Sequence, residues 1–443
     1  MTTGSPLRHV VRFALPLLAG NLFQQLYNTV DSVVVGNAVS KQALAAVGST
    51  TPIINMIIGI FLGLSQGAMV VISQSFGARD EARVHRSVEN TMLLVFALAP
   101  VFTLLGIALV PAMLRLMDTP ADVFSDAQQY LRIYFGGTAA LMVYNMGSGI
   151  LRAVGDSRRP LLFLVFSSLV NIVLDLVFVL VLDMGVAGVA WATVTAEVLA
   201  AVLVMVVLCR SRESFRFVWR DLRFDKPILS NILRVGLPSS AQMAVTSFSN
   251  VFVQSYVNAF GSSSMAAWSC YIKLDAFIML PMTSLGTAAT TFVGQNIGGG
   301  DRARARRGTW ASLGIAWAVT LVLTVPYVLF APQLTSLFNR DAEVVRYGTL
   351  FLRVQTPFCF LCCVNQVLSG ALRGEGRATG PMIIMLASFV VFRQVYLFAV
   401  SRIWGTILPV ALAYPAGWVL CSAVMFVYWA AVTRRADRAV ALR

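Results

Sequence analysis

Two carboxylates lie inside long apolar stretches of this chain. Asp31 belongs to residues 13–36, FALPLLAGNLFQQLYNTVDSVVVG, and Asp175 belongs to the run NIVLDLVFVLVLD. A charged side chain at the centre of a bilayer costs about 2.5–3.5 kcal/mol on insertion scales, so it generally has a function or a partner. Two buried carboxyl groups close to each other can take up and release a proton near neutral pH. Asp31 and Asp175 are therefore candidates for a proton or cation site.

Polar residues at helical spacing extend this candidate site. Asn171 precedes Asp175 by four residues, so the two share one helix face. At a rise of 1.5 Å per residue, Asp31, Asp175 and Thr193 each lie about 8–15 Å below the outer end of their helices. We predict a cation- or proton-coupling site from these four residues, with structural polar packing as the alternative. Na⁺ at Asp31 and Asp175 stays open, because carboxylate, amide and hydroxyl oxygens suit either ion.

Three further residues in apolar stretches are candidates for the transport path. Glu197 follows Thr193 by four residues and either joins the same polar network or makes a structural hydrogen bond. Arg393 lies near the middle of an apolar run, where it pairs with backbone carbonyls or an acid, or contacts substrate directly. Pro16 removes a backbone hydrogen bond from the stretch that holds Asp31, so it predicts a hinge there.

The composition indicates what kind of element holds these residues. Of 443 residues, 58% are hydrophobic and 12% are charged, against about 25% charged in soluble proteins. Apolar runs of about 20 residues predict membrane-spanning helices, and their lack of alternation excludes a barrel. The net charge of +14 reflects arginines in short loops, which set topology, so we expect no nucleic-acid partner. The six cysteines lie in or at apolar runs and are read as small core residues.

The chain is predicted to be an all-α polytopic membrane protein with twelve spans. Their approximate bounds are 10–37, 47–75, 91–117, 127–150, 160–182, 187–209, 231–259, 268–296, 310–331, 346–370, 381–402 and 407–432. The loops alternate between arginine-rich and arginine-poor, which places both termini in the cytoplasm. The two histidines, His9 and His85, lie outside the apolar runs. No P-loop or HExxH motif is present, so we expect no enzyme and no cofactor.

The two halves of the chain repeat each other at an offset of 221–222 residues. SQSFGARDEAR (73–83) matches GQNIGGGDRAR (294–304), and LRAVGDSRRP (151–160) matches LRGEGRATGP (372–381). Six spans per half give the halves the same orientation and predict two pseudo-symmetric lobes. We divide the chain into an N-lobe (1–209), a linker (210–234) and a C-lobe (235–443). The linker is either an interfacial segment or a plain basic connection.

These motifs together resemble the multidrug and toxic compound extrusion (MATE) transporters. LPLLAGNLFQQLYNTVDSVVVG, ALAAVG (43–48) and the two repeated pairs carry the resemblance, which covers nearly the whole chain. It implies two six-helix lobes that open alternately. It also implies export of amphipathic, often cationic compounds in exchange for H⁺ or Na⁺ by a monomer in the bacterial inner membrane.

Within this family the chain is most similar to the DinF-like branch. That branch carries its essential acids on the first and fifth helices, here Asp31 and Asp175 with Asn171. Its polar network resembles Tyr27, Tyr130, Asn145 and Thr193 of this chain. The expected substrate cavity is formed by Tyr27, Tyr130 and Asn145 together with Glu197 and Arg393. The NorM-like branch uses acids on the seventh and tenth helices, where this chain has Gln254, Asn365 and Gln366. The fourth helix has Ser148 where the DinF-like branch often has asparagine.

Two other functions remain as alternatives. A flippase for lipid-linked precursors or polysaccharides would keep the fold and favour a cavity lined by many arginines. A receptor or passive channel is a different class, and the duplication with acids in one half argues against it. Flux without an ion gradient would identify a channel.

Overall fold

The structure is a computed structural model. It describes the backbone of residues 1–38, 41–117 and 119–441. Within these ranges it describes every side chain except those of residues 27–45, 49, 248, 251, 437 and 439–441. No β-strand occurs in these ranges, as expected for spans that must satisfy their backbone hydrogen bonds internally.

Sixteen α-helices make up the described chain. In order they are α1 (Pro6–Ala38), α2 (Lys41–Gly77), α3 (Glu81–Leu116), α4 (Ala121–Ala153), α5 (Arg158–Leu176), α6 (Gly185–Arg210), α7 (Lys226–Asn258), α8 (Ser262–Gly298), α9 (Arg302–Leu329), α10 (Ala331–Ser336), α11 (Ala342–Gln355), α12 (Cys359–Gly374), α13 (Thr379–Leu386), α14 (Arg393–Ile403), α15 (Ile407–Ala411) and α16 (Ala413–Ala441). Two π segments, Val177–Val181 and Ala387–Phe392, extend or join helices, and two 3-10 turns lie at Trp219–Asp221 and Thr356–Phe358.

These elements combine into twelve long helical stretches, in agreement with the predicted spans. Nine stretches among the described residues are long and apolar enough to cross a membrane. The other three are α1, α4 and α7, each 33 residues long. A length of 33 residues corresponds to about 50 Å of helix, more than the hydrocarbon thickness of a bilayer.

The repeated sequence motifs form equivalent turns in the two halves. Asp80 and Asp301 cap α3 and α9, each accepting a hydrogen bond from the backbone N–H three residues later. The residue before each cap, Arg79 or Gly300, has a positive φ of 58° or 79°. A left-handed residue followed by a capping aspartate reverses the chain between two helices. The repeated GARD and GGGD motifs thus have a structural role.

The contacts divide the chain into two compact units. One unit contains Met1–Leu15 and Ala241–Arg443, and the other contains Pro16–Ser240. These bounds differ from the division at 209 and 235 drawn from the duplication. The amino-terminal parts of α1 and α7 each belong to the unit built mainly from the opposite half of the chain.

The Pro16–Ser240 unit is held together by close helix packing and by the linker. Ser65 of α2 donates a 2.8 Å hydrogen bond to the backbone carbonyl of Asn145 in α4. In the linker, the Phe217 N–H donates to the Leu208 carbonyl (3.0 Å), and both Phe215 and Phe217 are buried in the core. The linker is therefore anchored by two aromatic residues, while Trp219 and Phe224 stay exposed.

In the other unit, the amino-terminal segment packs on the helices of the second half. The Arg304 guanidinium donates to the carbonyls of Met1, Thr3 and Gly4 at 2.7–3.4 Å and lies 5.5 Å from the Phe292 ring. This contact explains why residues 1–15 group with the second half. All six cysteines are free and five are buried, which agrees with their prediction as core residues.

Candidate functional site

A cavity of about 400 Å³ lies within the Pro16–Ser240 unit. Helices α1, α2, α4, α5 and α6 contribute to its wall, as do residues just before α5. The lining residues are Pro16, Leu17, Gly20, Asn21, Gln24, Val47, Thr51, Ile54, Asn55, Ile58, Leu62, Tyr130, Tyr134, Leu141, Tyr144, Asn145, Arg152, Ser157, Pro160, Leu161, Leu164, Thr193 and Glu197. The mixture of aliphatic, aromatic, amide and charged groups suits an amphipathic ligand, and the volume is that of a small-molecule pocket.

One end of the cavity carries an acid among aromatic rings. The Tyr134 hydroxyl donates a hydrogen bond to the Glu197 carboxyl group, and Tyr130 stacks on Tyr134 with ring centroids 6.4 Å apart. No described group hydrogen-bonds Glu197 Oε2. The Thr193 hydroxyl donates to the Val189 carbonyl at 3.0 Å. This end can therefore contact a cation through a carboxylate and ring faces.

Asn145 lines the cavity from the middle of α4. Its Nδ2 donates to the Leu141 carbonyl at 2.9 Å, four residues earlier on the same helix. The amide is buried, with 6% of the residue exposed. Because the hydrogen bond engages only the nitrogen, the side-chain oxygen remains available to accept from a ligand.

Arg152 lines the same cavity, although we assigned it to a topology-setting loop. It lies in the last turn of α4, 18 residues and therefore about 27 Å along the helix from Tyr134. Its Nε has no hydrogen-bond partner among the described residues. The Tyr144 ring lies near it in the wall, and the Tyr144 hydroxyl donates to the Pro160 carbonyl at 3.3 Å. The cavity thus has an acid at one end and a base at the other.

Asn171 and Asp175 are buried on α5, each with 1% of the residue exposed. Neither is among the described residues that line the cavity. Both atoms of the Asn171 amide lack a hydrogen-bond partner within the described part of the chain, which is costly for a buried amide. Asp175 lies two residues before the π segment Val177–Val181, and such segments occur frequently at functional sites.

Two predicted residues fall outside the described side chains. Asp31 and Tyr27 belong to the backbone range of α1, but their side chains are among those the structure does not describe. Their place relative to Asp175, Asn171 and Thr193 therefore stays a prediction. Pro16, the predicted hinge, lies inside α1, lines the cavity and is the first residue of its unit.

Arg393 belongs to the other unit and does not share this cavity's described lining. Its guanidinium donates to Ser249 Oγ and Asn250 Oδ1, each at 2.9 Å, and lies 4.6 Å from the centre of the Tyr414 ring. We expected carbonyls, an acid or substrate as its partners. Its described protein contacts are a hydroxyl, an amide oxygen and a ring, and contact with substrate stays a prediction. Arg393 directly follows the π segment Ala387–Phe392.

Comparison with known proteins connects this architecture to a family. A family model described as MatE matches residues 16–177 and again 238–398, which confirms the duplication. The chain is 30% identical to the probable multidrug resistance protein YoeA of Bacillus subtilis strain 168, over 91% of this chain and 86% of YoeA. It is also 30% identical to YpnP of the same organism, over 97% and 96% of the two chains.

A solved structure agrees over the whole length. It is the outward-facing conformation of a multidrug resistance MATE family transporter of the MOP superfamily, with a TM-score of 0.93 and 26% identity over 98% of this chain and 97% of that chain. The twelve long stretches, the duplication and the family match agree with one another. The chain therefore belongs to the MATE family and is a multi-pass membrane transporter, not an enzyme.

Proposed function

We propose that this chain exports amphipathic, mainly cationic compounds in exchange for H⁺ or Na⁺. The observation that supports this most is the cavity of about 400 Å³ with Glu197 and stacked Tyr130 and Tyr134 at one end. A carboxylate beside ring faces favours an organic cation. Relatives at 30% identity carry the description of probable multidrug resistance proteins, in keeping with such cargo.

We further propose that Asp31 and Asp175 couple the ion to the cargo, with Asn171 and Thr193 supplying oxygen atoms. When the ion loads, the acids lose their charge, and a cationic cargo loses its counter-charge and leaves. When the ion unloads on the other side of the membrane, the carboxylates favour the next cation. A cycle that brings in one charge more than it exports gains about 2.3 kcal/mol from a potential of 100 mV, enough for roughly 50-fold accumulation.

Pro16 is the proposed hinge in this cycle. It lacks the N–H that would bond to the carbonyl four residues earlier, so α1 can bend there at low cost. Because Pro16 lines the cavity, bending α1 at this residue would change the cavity's volume. We propose that ion loading favours the bent form and expels the cargo. The transporter would act as a monomer in the bacterial inner membrane with both termini in the cytoplasm.

The test is efflux of a fluorescent lipophilic cation from proteoliposomes under an imposed pH gradient or, separately, a Na⁺ gradient. Wild type is compared with Asp31→Asn and Asp175→Asn. Asp122→Asn, an exposed acid at the start of α4, is the matched control. We expect efflux driven by one gradient, retained in the control and lost in both variants. Undiminished gradient-driven efflux by Asp31→Asn and Asp175→Asn would contradict the proposed coupling.

The flippase alternative has one observation in its favour. Arg152 lines the cavity with its Nε unpartnered among the described groups, and a guanidinium binds phosphate well. A flippase for lipid-linked phosphates would be expected to present many arginines, whereas Arg152 is the one arginine in the described lining. This alternative would be favoured if neither gradient drove efflux of a lipophilic cation and the protein transferred a phosphate-linked lipid across the membrane.

A further inference from the structure

Three potential metal ligands from two elements meet away from the cavity. His85 and Glu89 are one helical turn apart near the start of α3, and Asp221 lies in the 3-10 turn of the linker. One ligand atom from each residue lies within 4.8 Å of the others. His85 Nε2 is 2.8 Å from Glu89 Oε1 and 3.4 Å from Asp221 Oδ2. The fold thus joins ligands that are more than 130 residues apart in the chain.

Other contacts hold the linker in this position independently of the three ligands. Asn90 Nδ2 donates to the Arg223 carbonyl at 3.2 Å, and Asn90 Oδ1 accepts from the Asp225 N–H at 2.9 Å. Trp219 stacks on Phe96 with centroids 5.2 Å apart. Because these contacts position the turn on α3, the ligand set is formed before any ion binds.

The buried carboxylate of Glu89 has His85 as its charged partner. Glu89 is 2% exposed, and its Oε1 lies 2.8 Å from His85 Nε2 without the angles of a hydrogen bond. A buried, incompletely solvated oxygen is costly. Ligand atoms around a tetrahedral ion with bonds of 2.0–2.2 Å lie roughly 3.3 Å apart. The two separations from His85 Nε2 are 2.8 and 3.4 Å and the third is at most 4.8 Å, so small side-chain movements would bring all three groups to one ion.

We propose that His85, Glu89 and Asp221 bind a divalent transition metal ion, with Zn²⁺ as the preferred ion. One imidazole nitrogen and two carboxylate oxygens suit Zn²⁺ better than Ca²⁺ or Mg²⁺, which take oxygen ligands. The side chains of His85 and Asp221 are 30% and 56% exposed, which leaves an entry path and room for water as a fourth ligand. The bound ion would fasten the linker to α3.

Local charge is compatible with a cation at this position. Two arginines, Arg223 of the linker and Arg86 of α3, act on Glu89, and Arg86 pairs with Asp225 at 3.7 Å, so an acid outside the ligand set partly neutralises one of them. The two carboxylates of the ligand set carry two negative charges against one divalent ion. The site is separate from the described cavity lining, so this proposal does not depend on the proposed function.

The test is Zn²⁺ binding to the purified full-length protein without a polyhistidine tag. Calorimetry measures the binding, and the thermal unfolding midpoint measures its effect on stability. We expect one Zn²⁺ per chain and a raised midpoint, with no such effect of Mg²⁺. His85→Ala should abolish binding. His9→Ala is the matched control, since His9 and His85 are the chain's two histidines, and it should bind Zn²⁺ like wild type.

A second variant keeps the proposal testable if His85→Ala does not fold. Asp221→Asn changes one atom of a half-exposed residue in the linker and should weaken Zn²⁺ binding at least tenfold while leaving the metal-free midpoint unchanged. The proposal is overturned if wild type binds no Zn²⁺, or if Asp221→Asn and wild type bind it with equal affinity.

Discussion

At the scale of single residues, Glu197 is the acid in the described lining of the cavity. Its carboxyl group accepts from Tyr134, and the stacked Tyr130 ring lies beside it. The hydrogen bond from a neutral donor fixes the orientation of the acid. We propose that Glu197, in its ionised form, selects cationic over neutral cargo.

Glu197→Gln should weaken binding of a lipophilic monocation about tenfold, which corresponds to 1.4 kcal/mol. The amide keeps the shape of the side chain but removes the counter-charge. Binding of a neutral amphipath should change little. The measurement is equilibrium fluorescence titration in detergent, with Glu213→Gln in the exposed linker as the control. An equal loss for neutral and cationic ligands would assign Glu197 a structural role.

Arg393 is expected to stabilise the fold of its unit. In Arg393→Lys, a compact ammonium replaces the planar guanidinium, whose Nη2 donates to both Ser249 and Asn250 and which lies over the Tyr414 ring, and lysine does not reproduce that stacking. We expect the free energy of unfolding to fall by about 1–3 kcal/mol. Thermal unfolding in detergent measures this, and Arg402→Lys, an exposed arginine near the end of α14, should leave the midpoint unchanged. An unchanged midpoint in Arg393→Lys would contradict this assignment.

The sequence identified several cavity residues but not Arg152. Thr193 and Glu197 were predicted from polar groups at helical spacing, Tyr130 and Asn145 from the family resemblance, and all four line the cavity. Arg152 was assigned to a loop because the predicted span ended at 150, whereas α4 continues to Ala153. An arginine two residues beyond a predicted end cannot be assigned to a cavity or to solvent without the helix bounds.

At the scale of elements, glycines allow helices of the second half to approach closely. A Cβ on Gly370 of α12 would lie 2.2 Å from the Gly286 carbonyl oxygen of α8. This distance is incompatible with an added methyl group, so the two backbones must be in contact there. Small residues at such crossings are typical of membrane helices, where close packing replaces the hydrophobic effect.

Gly370→Ala should lower the free energy of unfolding by about 1–3 kcal/mol, because α8 and α12 must separate to admit the methyl group. Gly314→Ala in α9 is the matched control, since its Cβ would have nothing within 4 Å. That change should stabilise the protein by about 0.5–1 kcal/mol. The measurement is the thermal unfolding midpoint of each variant. Equal midpoints would argue against a tight α8–α12 crossing.

The helical stretches were predictable, but their irregularities were not. Apolar runs and arginine-rich loops located all twelve stretches, because bilayer thickness sets their length. The π segments Val177–Val181 and Ala387–Phe392 interrupt two of them. A π turn contains one residue more than an α-helical turn. It leaves the composition unchanged and shifts the 3.6-residue pattern of apolar positions only locally, so hydropathy does not reveal it. Asp175 and Arg393 lie beside these segments.

At the scale of the whole molecule, loop charge is expected to set the orientation. Arg212→Cys on the linker and Arg340→Cys in the loop before α11 are both exposed and should lie on opposite sides of the membrane. In a Cys209→Ser background, a membrane-impermeant maleimide should label Arg340→Cys in intact cells and Arg212→Cys only after permeabilisation. The reverse pattern would place the termini outside.

The duplication was also evident at this scale from the sequence. Repeats at an offset of 221–222 predicted two equivalent halves, and within them Asp80 and Asp301 cap corresponding helices. The division of α1 and α7 between units was not predictable. Sequence similarity indicates which segments correspond, but only contacts such as those of Arg304 with residues 1–4 show where each segment packs.

The most direct test of the account is whether cargo and ion compete for the same acids. A lipophilic cation is added to the purified protein in weakly buffered solution, and proton release is measured together with cation binding, with and without Na⁺. If H⁺ is the coupling ion, binding should release about one proton per bound cation, and Asp31→Asn and Asp175→Asn should abolish that release. If Na⁺ is the coupling ion, Na⁺ should displace the cation without proton release. Full binding of the cation with no proton release and no effect of Na⁺ would contradict the account.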